Sequence, residues 1–321
     1  AMPLPEAHGG FGFGATEIML LSEQMGQYLV VEPFLETVVV GGSFLSRGSE
    51  ALRMRYLPAL AEGSLQVAMA HGERDGHRAM VNVHTTATPE GDGYRVNGAK
   101  SLVANGDNAD LLIVSAQLPE GRGVTLFAVP ADAPGVARHG YPTYDGRRAS
   151  EVALDNVLVD ADAVIGEPGA ASAVFEPVAL VVQLAVCAEA VGAMTALLQA
   201  TQNYTSQRKQ FGQSLSSFQV LRHRMADMFV QVELTRSLML AAAASLDRDS
   251  EDAAKLISAL KARSVKAGRF VGQNAIQLHG GIAMTDELNV GHYFKRITLL
   301  ESWFGNRDYH LHRFRELQSV A

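Results

Sequence analysis

The sequence is almost without cysteine. Cys187 is the only one in 321 residues, which excludes an internal disulfide framework and any cysteine-built zinc site. Its apolar helical surroundings read as an inert core position. No block of Lys or Arg stands out, and 27 basic against 34 acidic residues leave a net charge of −7. Without a basic face to neutralise phosphates, nucleic acid is not an expected partner. His310 and His312 stand two apart rather than at the i, i+4 spacing of a helical metal pair; they read as solvated or locally hydrogen-bonded, and no metal site is expected. The longest apolar runs, such as 177–188, are too short and wrongly flanked for a membrane span, so no membrane insertion is expected. No charged-then-apolar leader opens the chain, which makes a cytoplasmic protein the expectation. An opening at Pro3-Leu4-Pro5 hints at something missing upstream.

Apolar residues make up 47% of the chain and charged ones 19%. That is enough to bury a large core, and it excludes general disorder. Three zones differ in texture, with boundaries expected at 1–62, 63–165 and 166–321. In the first, Ile18, Leu20, Leu21, Met25 and Leu29 recur near helical spacing, and Ser49-Glu50 opens a second amphipathic run through Leu57 and Leu60. In the second, short alternating segments such as Tyr94-Arg95-Val96 and 111–116 lie between Gly, Asp, Asn and Pro clusters. Gly91-Asp92-Gly93 and Asn97-Gly98 supply the positive-φ positions of hairpin turns. This zone reads as a small antiparallel β domain. After Gly166-Glu167-Pro168-Gly169 the spacing predicts helices over about 171–205, 218–246, 252–277 and 287–303, an antiparallel four-helix bundle. The fold class is α+β: a helical start, a β middle and a helical bundle.

Gly10-x-Gly12-x-x-Ala15 matches a loose dinucleotide fingerprint, but no strand precedes it and no βαβ unit follows, so a loop feeding a helix is the better reading. Two stretches are more specific. One is Arg208-Lys209-Gln210-Phe211-Gly212 at a helix end, followed by Phe218-Gln219. The other is Gln277-Leu278-His279-Gly280-Gly281. An Arg with amide donors suits a pyrophosphate, and paired glycines let a ligand approach the backbone. Each taken singly is equally a helix C-cap and a turn.

In this order behind a β zone, these stretches resemble the acyl-CoA dehydrogenase family of flavoproteins over nearly the whole chain. Pro5-Glu6-Ala7-His8-Gly9-Gly10, Asn97-Gly98-Ala99-Lys100 through Asn105-Gly106, and 145–159 add to the likeness. It is strongest to the short subunits of heteromeric members, such as that of pimeloyl-CoA dehydrogenase. The resemblance implies FAD as cofactor, an acyl-CoA as substrate, α,β-dehydrogenation as reaction and electron-transferring flavoprotein as acceptor. It also implies a flavin lying across a subunit interface, with Arg208, Gln210, Phe211, Gln277, Gly280 and Gly281 matching the cofactor-binding half that one chain donates to its neighbour.

The departures matter more. The family's usual base, a Glu just before a Gly, falls at Phe304; the minority position falls at Val182, followed by Gln183 where an Arg is common. Glu301 is the nearest acid and the candidate catalytic residue, or else it pairs with Lys295, Arg296 or Arg307. The motif Thr-Glu-Pro-x-x-Gly-Ser-Asp reads here Gly72-Glu73-Arg74-Asp75-Gly76-His77-Arg78-Ala79, and the Trp and Thr beside the ring become Leu102 and Ala104. Arg74 or Arg78 remains as an anion attractor. A subunit that completes a catalytic partner's flavin site in an α2β2 heterotetramer is the leading expectation. A self-sufficient homo-oligomer using Glu301 and a non-enzymatic scaffold or acyl-CoA-binding protein stand beside it. A dicarboxylyl-CoA is the first substrate expected, with a steroid-side-chain acyl-CoA as rival. The long Ala-rich helix over 171–205 suits packing between subunits.

Overall fold

A computed structural model describes residues 1–74 and 83–319. In chain order, α1 (Ala15–Gln27) is followed by a π-helical segment, Phe34–Gly41, that runs into α2 (Gly42–Leu45), and then by α3 (Glu50–Glu62). Eight strands come next: β1 (Val67–Ala70), β2 (Thr86–Glu90), β3 (Gly93–Ala104), β4 (Leu111–Gln117), β5 (Val124–Pro130), β6 (Val136–Pro142), β7 (Arg148–Asp160) and β8 (Val164–Ile165). The remainder is α4 (Ala171–Gln207), a hairpin of β9 (Lys209–Gln210) and β10 (Gln213–Ser214), α5 (Gln219–Asp247), α6 (Ala253–His279), α7 (Val290–Leu300) and α8 (Arg307–Ser319). The chain forms two compact units, Ala1–Gly14 with Glu32–Val182, and Ala15–Val31 with Gln183–Ala321.

The first unit is built on one sheet of order β6-β7-β3-β2-β4-β5-β8. β4 and β5 are apolar and buried along nearly their whole length, so Leu112, Val114, Phe127 and Val129 sit at the centre of the core. The two-residue connection Gly91-Asp92 joins β2 to β3, with Gly91 at φ +58° as such a turn requires. Asn97-Gly98, expected as a second turn, instead lies inside β3. There the register against β7 shifts between Val96 and Gly98, and Asn97 Oδ1 accepts the Asn156 N–H at 2.8 Å. The residues on both sides keep pairing with β7, which makes the Asn-Gly step a bulge. The sheet is antiparallel except where β1 runs parallel to β4 and β2 touches β4 at a single parallel pair. α3 begins at Ser49, whose Oγ accepts the Leu52 N–H, and stops at Gly63 with φ +79°.

The second unit is the helical bundle, with α6 packed against α5, α7 and α8. α1 joins it by backbone contact with α4: a Cβ on Gly26 would lie 1.9 Å from Glu189 O, and one on Gly192 would lie 1.9 Å from Glu23 O. Asp247 at the end of α5 caps α1, accepting the N–H groups of Ala15 (2.7 Å) and Thr16 (3.1 Å). α4 and α5 are each long and apolar enough to cross a membrane by length and composition. Of the most apolar stretch of α4, 83% is buried inside the chain, against 33% for α5. The Ala-rich helix expected to pack between subunits thus buries most of its most apolar stretch within this chain. The large exposed apolar side chains Val220, Phe229, Val230, Leu234 and Leu240 lie on α5. α7 stops short of the helix expected to reach Trp303: Glu301 keeps helical φ and ψ, but the N–H groups of Ser302 and Trp303 bond three residues back, to Leu299 O and Leu300 O, as in a tightening turn.

Candidate active site

Arg208 follows the last residue of α4, and the β9–β10 hairpin turns at Phe211-Gly212 with φ +54° and +81°. Positive φ at both central residues is what a tight hairpin asks for, yet Phe is a poor occupant of the first. Phe211 is 92% exposed, and its ring meets Phe218 at right angles, 6.2 Å between centroids. Tyr204, one turn before Arg208, stacks on His279 at 4.5 Å and brings the end of α4 to the end of α6. Next to His279, Gly280 has φ +69° and ψ −146°, a region only glycine occupies without strain. At Gly281 an added Cβ would meet no atom of the described residues within 4 Å. Arg208, Gln210 and Gln277 are exposed, and none has a side-chain hydrogen bond or ion pair among the described residues. The fold therefore gathers the two sequence stretches at one end of the bundle, as a guanidinium and amides without a side-chain partner among the described residues.

The turn after α7 is held tightly. The buried ammonium of Lys261 on α6 donates to Leu300 O and Glu301 O at 3.0 Å and to Gly305 O at 3.1 Å. Phe304 has φ +51°, and its carbonyl accepts from Gln183 Nε2 at 3.0 Å and from His310 Nε2 at 2.9 Å. His310 is fully buried, so burial, partly opposed by that carbonyl bond, pushes its imidazole down to about 4. Of the two readings offered for it, local hydrogen bonding is the right one. His312 pairs with Glu316 at 3.2 Å.

Glu301 does not face open space. Its carboxylate takes both Arg269 Nε, at 2.7 Å, and Arg269 Nη2. The partner is none of the three cations suggested by sequence proximity, because Arg269 lies on α6, 32 residues away. Arg296 is engaged elsewhere, donating to both oxygens of Glu189 at 2.7 and 2.9 Å with its guanidinium 5.5 Å from the Trp303 ring. Cys187 is buried, and burial pushes its thiol up to about 11, an unreactive state.

Three family models, for the N-terminal, middle and C-terminal domains of acyl-CoA dehydrogenase, match residues 1–64, 68–157 and 181–316. The chain belongs to the acyl-CoA dehydrogenase family. It is 28% identical to the probable acyl-CoA dehydrogenase FadE25 of Mycobacterium tuberculosis over 316 residues, covering 96% of this chain and 81% of that protein. Among solved structures it is similar to the ChsE4-ChsE5 complex from Mycobacterium tuberculosis, with 27% identity, TM-score 0.89, and coverage of 99% and 84%. It is also similar to the FAD complex of PigA, with 27% identity, TM-score 0.92, and coverage of 99% and 86%.

FAD is the cofactor of this acyl-CoA dehydrogenase fold. The residues fit it unequally. Arg208, Gln210 and Gln277, with the open backbone at Gly281, suit an adenosine diphosphate group. On the ring side Gly72 and Ala104 offer no hydroxyl, while Leu102, 55% exposed at φ +52°, offers an apolar face. The Arg74 guanidinium lies 3.5 Å from the Glu151 carboxylate on the wall of a cavity of about 490 Å³, so it reaches any anion already facing a carboxylate. Arg78 lies outside the described residues. Sequence reasoning missed the buried pair beside them, Lys100 Nζ to Glu73 Oε1 at 2.7 Å. Burial works against the Glu73 carboxylate, but bonds from Lys100, Thr85 and His84 more than offset it and hold its pKa down to about 2. The only signal for that pair was a lysine at an inward position of β3.

Proposed function

We propose that this chain is the base-lacking subunit of an FAD-dependent acyl-CoA dehydrogenase. Arg208, Gln210, Phe211, Gln277, Gly280 and Gly281 complete the adenosine diphosphate half of a flavin whose ring is held by a homologous catalytic chain. The observation that carries the reading is the contrast between two sites. The two places where family members keep a base are Phe304 and Val182 here, and neither is an acid; Gln183, which follows Val182, donates to the Phe304 carbonyl. The donor-half side chains of Arg208, Gln210 and Gln277 are exposed and have no hydrogen bond or ion pair among the described residues.

Dehydrogenation needs a carboxylate to take the proton α to the thioester. In this reading that carboxylate belongs to the partner, and Glu301 serves to anchor α7 to α6 through Arg269. Bound FAD supplies the acceptor for the β-hydrogen. This chain's part is to bind and orient: the Arg208 guanidinium meets phosphate charge, and the exposed Phe211 ring covers apolar surface on the neighbour. An α2β2 heterotetramer follows, and the likeness to a complex of two different chains supports it. A cytoplasmic location, electron-transferring flavoprotein as acceptor, and a dicarboxylyl-CoA substrate in preference to a steroid-side-chain one belong to the same proposal. So do domain boundaries at 62/63 and 165/166.

The test is flavin stoichiometry by visible absorbance. The chain alone is expected colourless, and its complex with the nearest homologous chain is expected to carry about half a flavin per chain. About one FAD per chain in the isolated protein would refute the donor-half reading. Glu301→Gln in the complex is expected to leave turnover within about twofold; a loss of about two decades or more would make Glu301 the base.

A further inference from the structure

The end of β1 carries a polar relay that the donor-half reading does not use. The fully buried ammonium of Lys100 donates to Glu73 Oε1 at 2.7 Å, to Ser115 Oγ at 3.1 Å and to His71 O at 3.4 Å. Ser115 Oγ, also fully buried, lies 2.9 Å from His71 Nδ1. An ammonium only donates, so Ser115 accepts from Lys100, and its single hydroxyl proton has His71 Nδ1 as acceptor. The reverse assignment, with Nδ1 donating, would strand a buried hydroxyl proton. Hydrogen-bond accounting thus puts the ring proton of His71 on Nε2.

That Nε2–H has no hydrogen-bond partner among the described residues. The ring leans on Phe175, 5.4 Å between centroids, which leans in turn on Phe44 at 6.0 Å, so an aromatic wall fixes its plane. Gly72 O accepts the Ser101 N–H at 2.8 Å and sets the His71-Gly72 corner beside Leu102, which matches the ring-side Trp of the family by resemblance. His71 itself is only partly exposed. A neutral donor of fixed tautomer, backed by a four-residue relay and lacking an acceptor, is built to meet one from outside the chain. An anionic acceptor would favour the imidazolium, which burial and the nearby Lys100 charge both oppose.

We propose that His71 is a ligand-binding residue whose Nε2–H donates to an uncharged carbonyl oxygen, on the flavin ring or on the thioester or amide of an acyl-CoA. This goes beyond the donor-half reading, since it gives this chain's own β unit a contact with ligand. The Thr that the family uses at position 72 is a glycine here, so the donor is supplied one residue earlier.

The experiment is nitrogen-15 NMR of this chain, labelled at histidine and assembled with its homologous partner chain, titrated with FAD and separately with octanoyl-CoA. The free protein is expected to show Nδ1 bare and Nε2 protonated for His71. A shift of the Nε2–H resonance with FAD assigns the ring carbonyl, and a shift with octanoyl-CoA alone assigns the thioester or amide. His71→Leu is expected to weaken the shifting ligand about five- to tenfold, the worth of one neutral hydrogen bond, and His71→Gln to recover part of it. A proton on Nδ1, a resonance silent to both ligands at saturation, or unchanged affinity in His71→Leu overturns the proposal. Flavin stoichiometry in the complex is a separate measurement, so either reading can fail without the other.

Discussion

Arg296→Met should destabilise the helical unit by about 3–5 kcal/mol. Arg296 and Glu189 are both buried and joined by two short hydrogen bonds, 2.7 and 2.9 Å, with the guanidinium over the only tryptophan of the chain. Methionine matches the length of the arginine stem and fills much of its volume, so the main loss is not packing. It is the stranding of a carboxylate that has left water and no longer meets a cation. The lost contact with Trp303 adds about 1 kcal/mol. A urea titration followed by Trp303 fluorescence reads this unit's own transition. With a slope of about 2 kcal/mol per molar, the midpoint should fall by about 1.5–2.5 M. The double variant Glu189→Leu with Arg296→Met should recover most of the loss, because a pair of apolar side chains has no charge to strand. The penalty of the single variant should also shrink as the pH falls, since the unpaired carboxyl is relieved by taking up a proton. A loss below about 1 kcal/mol, or a double variant as unstable as the single one, would refute the argument that the pair's desolvation dominates.

Gly192→Ala puts a methyl group 1.9 Å from Glu23 O and forces α1 away from α4; a loss of about 1–3 kcal/mol in urea unfolding is expected, with faster hydrogen exchange along α1. Phe211→Gly relieves a strained φ of +54° and should stabilise the isolated chain by about 1 kcal/mol, while reducing flavin retention in the assembled enzyme about tenfold; unchanged retention would argue against a partner contact at that ring. His71 and His310 are held well below the ordinary imidazole range, to about 4, chiefly by burial. The unfolded chain therefore binds more protons than the folded one between pH 6.5 and 4. Stability is full above that window and is lost as the pH falls through it. Replacing His310 with Asn should flatten its share of this slope in acid titrations monitored by Trp303.

Local signals carried much of the fold. The periodicities of α4, α5 and α6 lie within the spacing of their own apolar residues, and Ser49 and Gly63 mark the ends of α3 as caps do in most proteins. The donor-half residues were legible for the same reason, being two short contiguous stretches with unusual chemistry. By itself the sequence determined the helix–sheet–helix order, the absence of an acid at position 304, and the lone buried cysteine. Tertiary structure alone decided whatever depends on a partner far along the chain. Glu301 turns to Arg269 rather than to a neighbour on its own helix, and Asn97-Gly98 becomes a bulge because β7 continues past it. Similarly, β1 runs parallel to β4 through a register that no single segment encodes. Lys100 and Lys261 look like surface residues in a one-dimensional reading. Each is buried because carbonyls, hydroxyls or a carboxylate from distant segments converge on its ammonium, and burying a charge is tolerated only where such partners meet it.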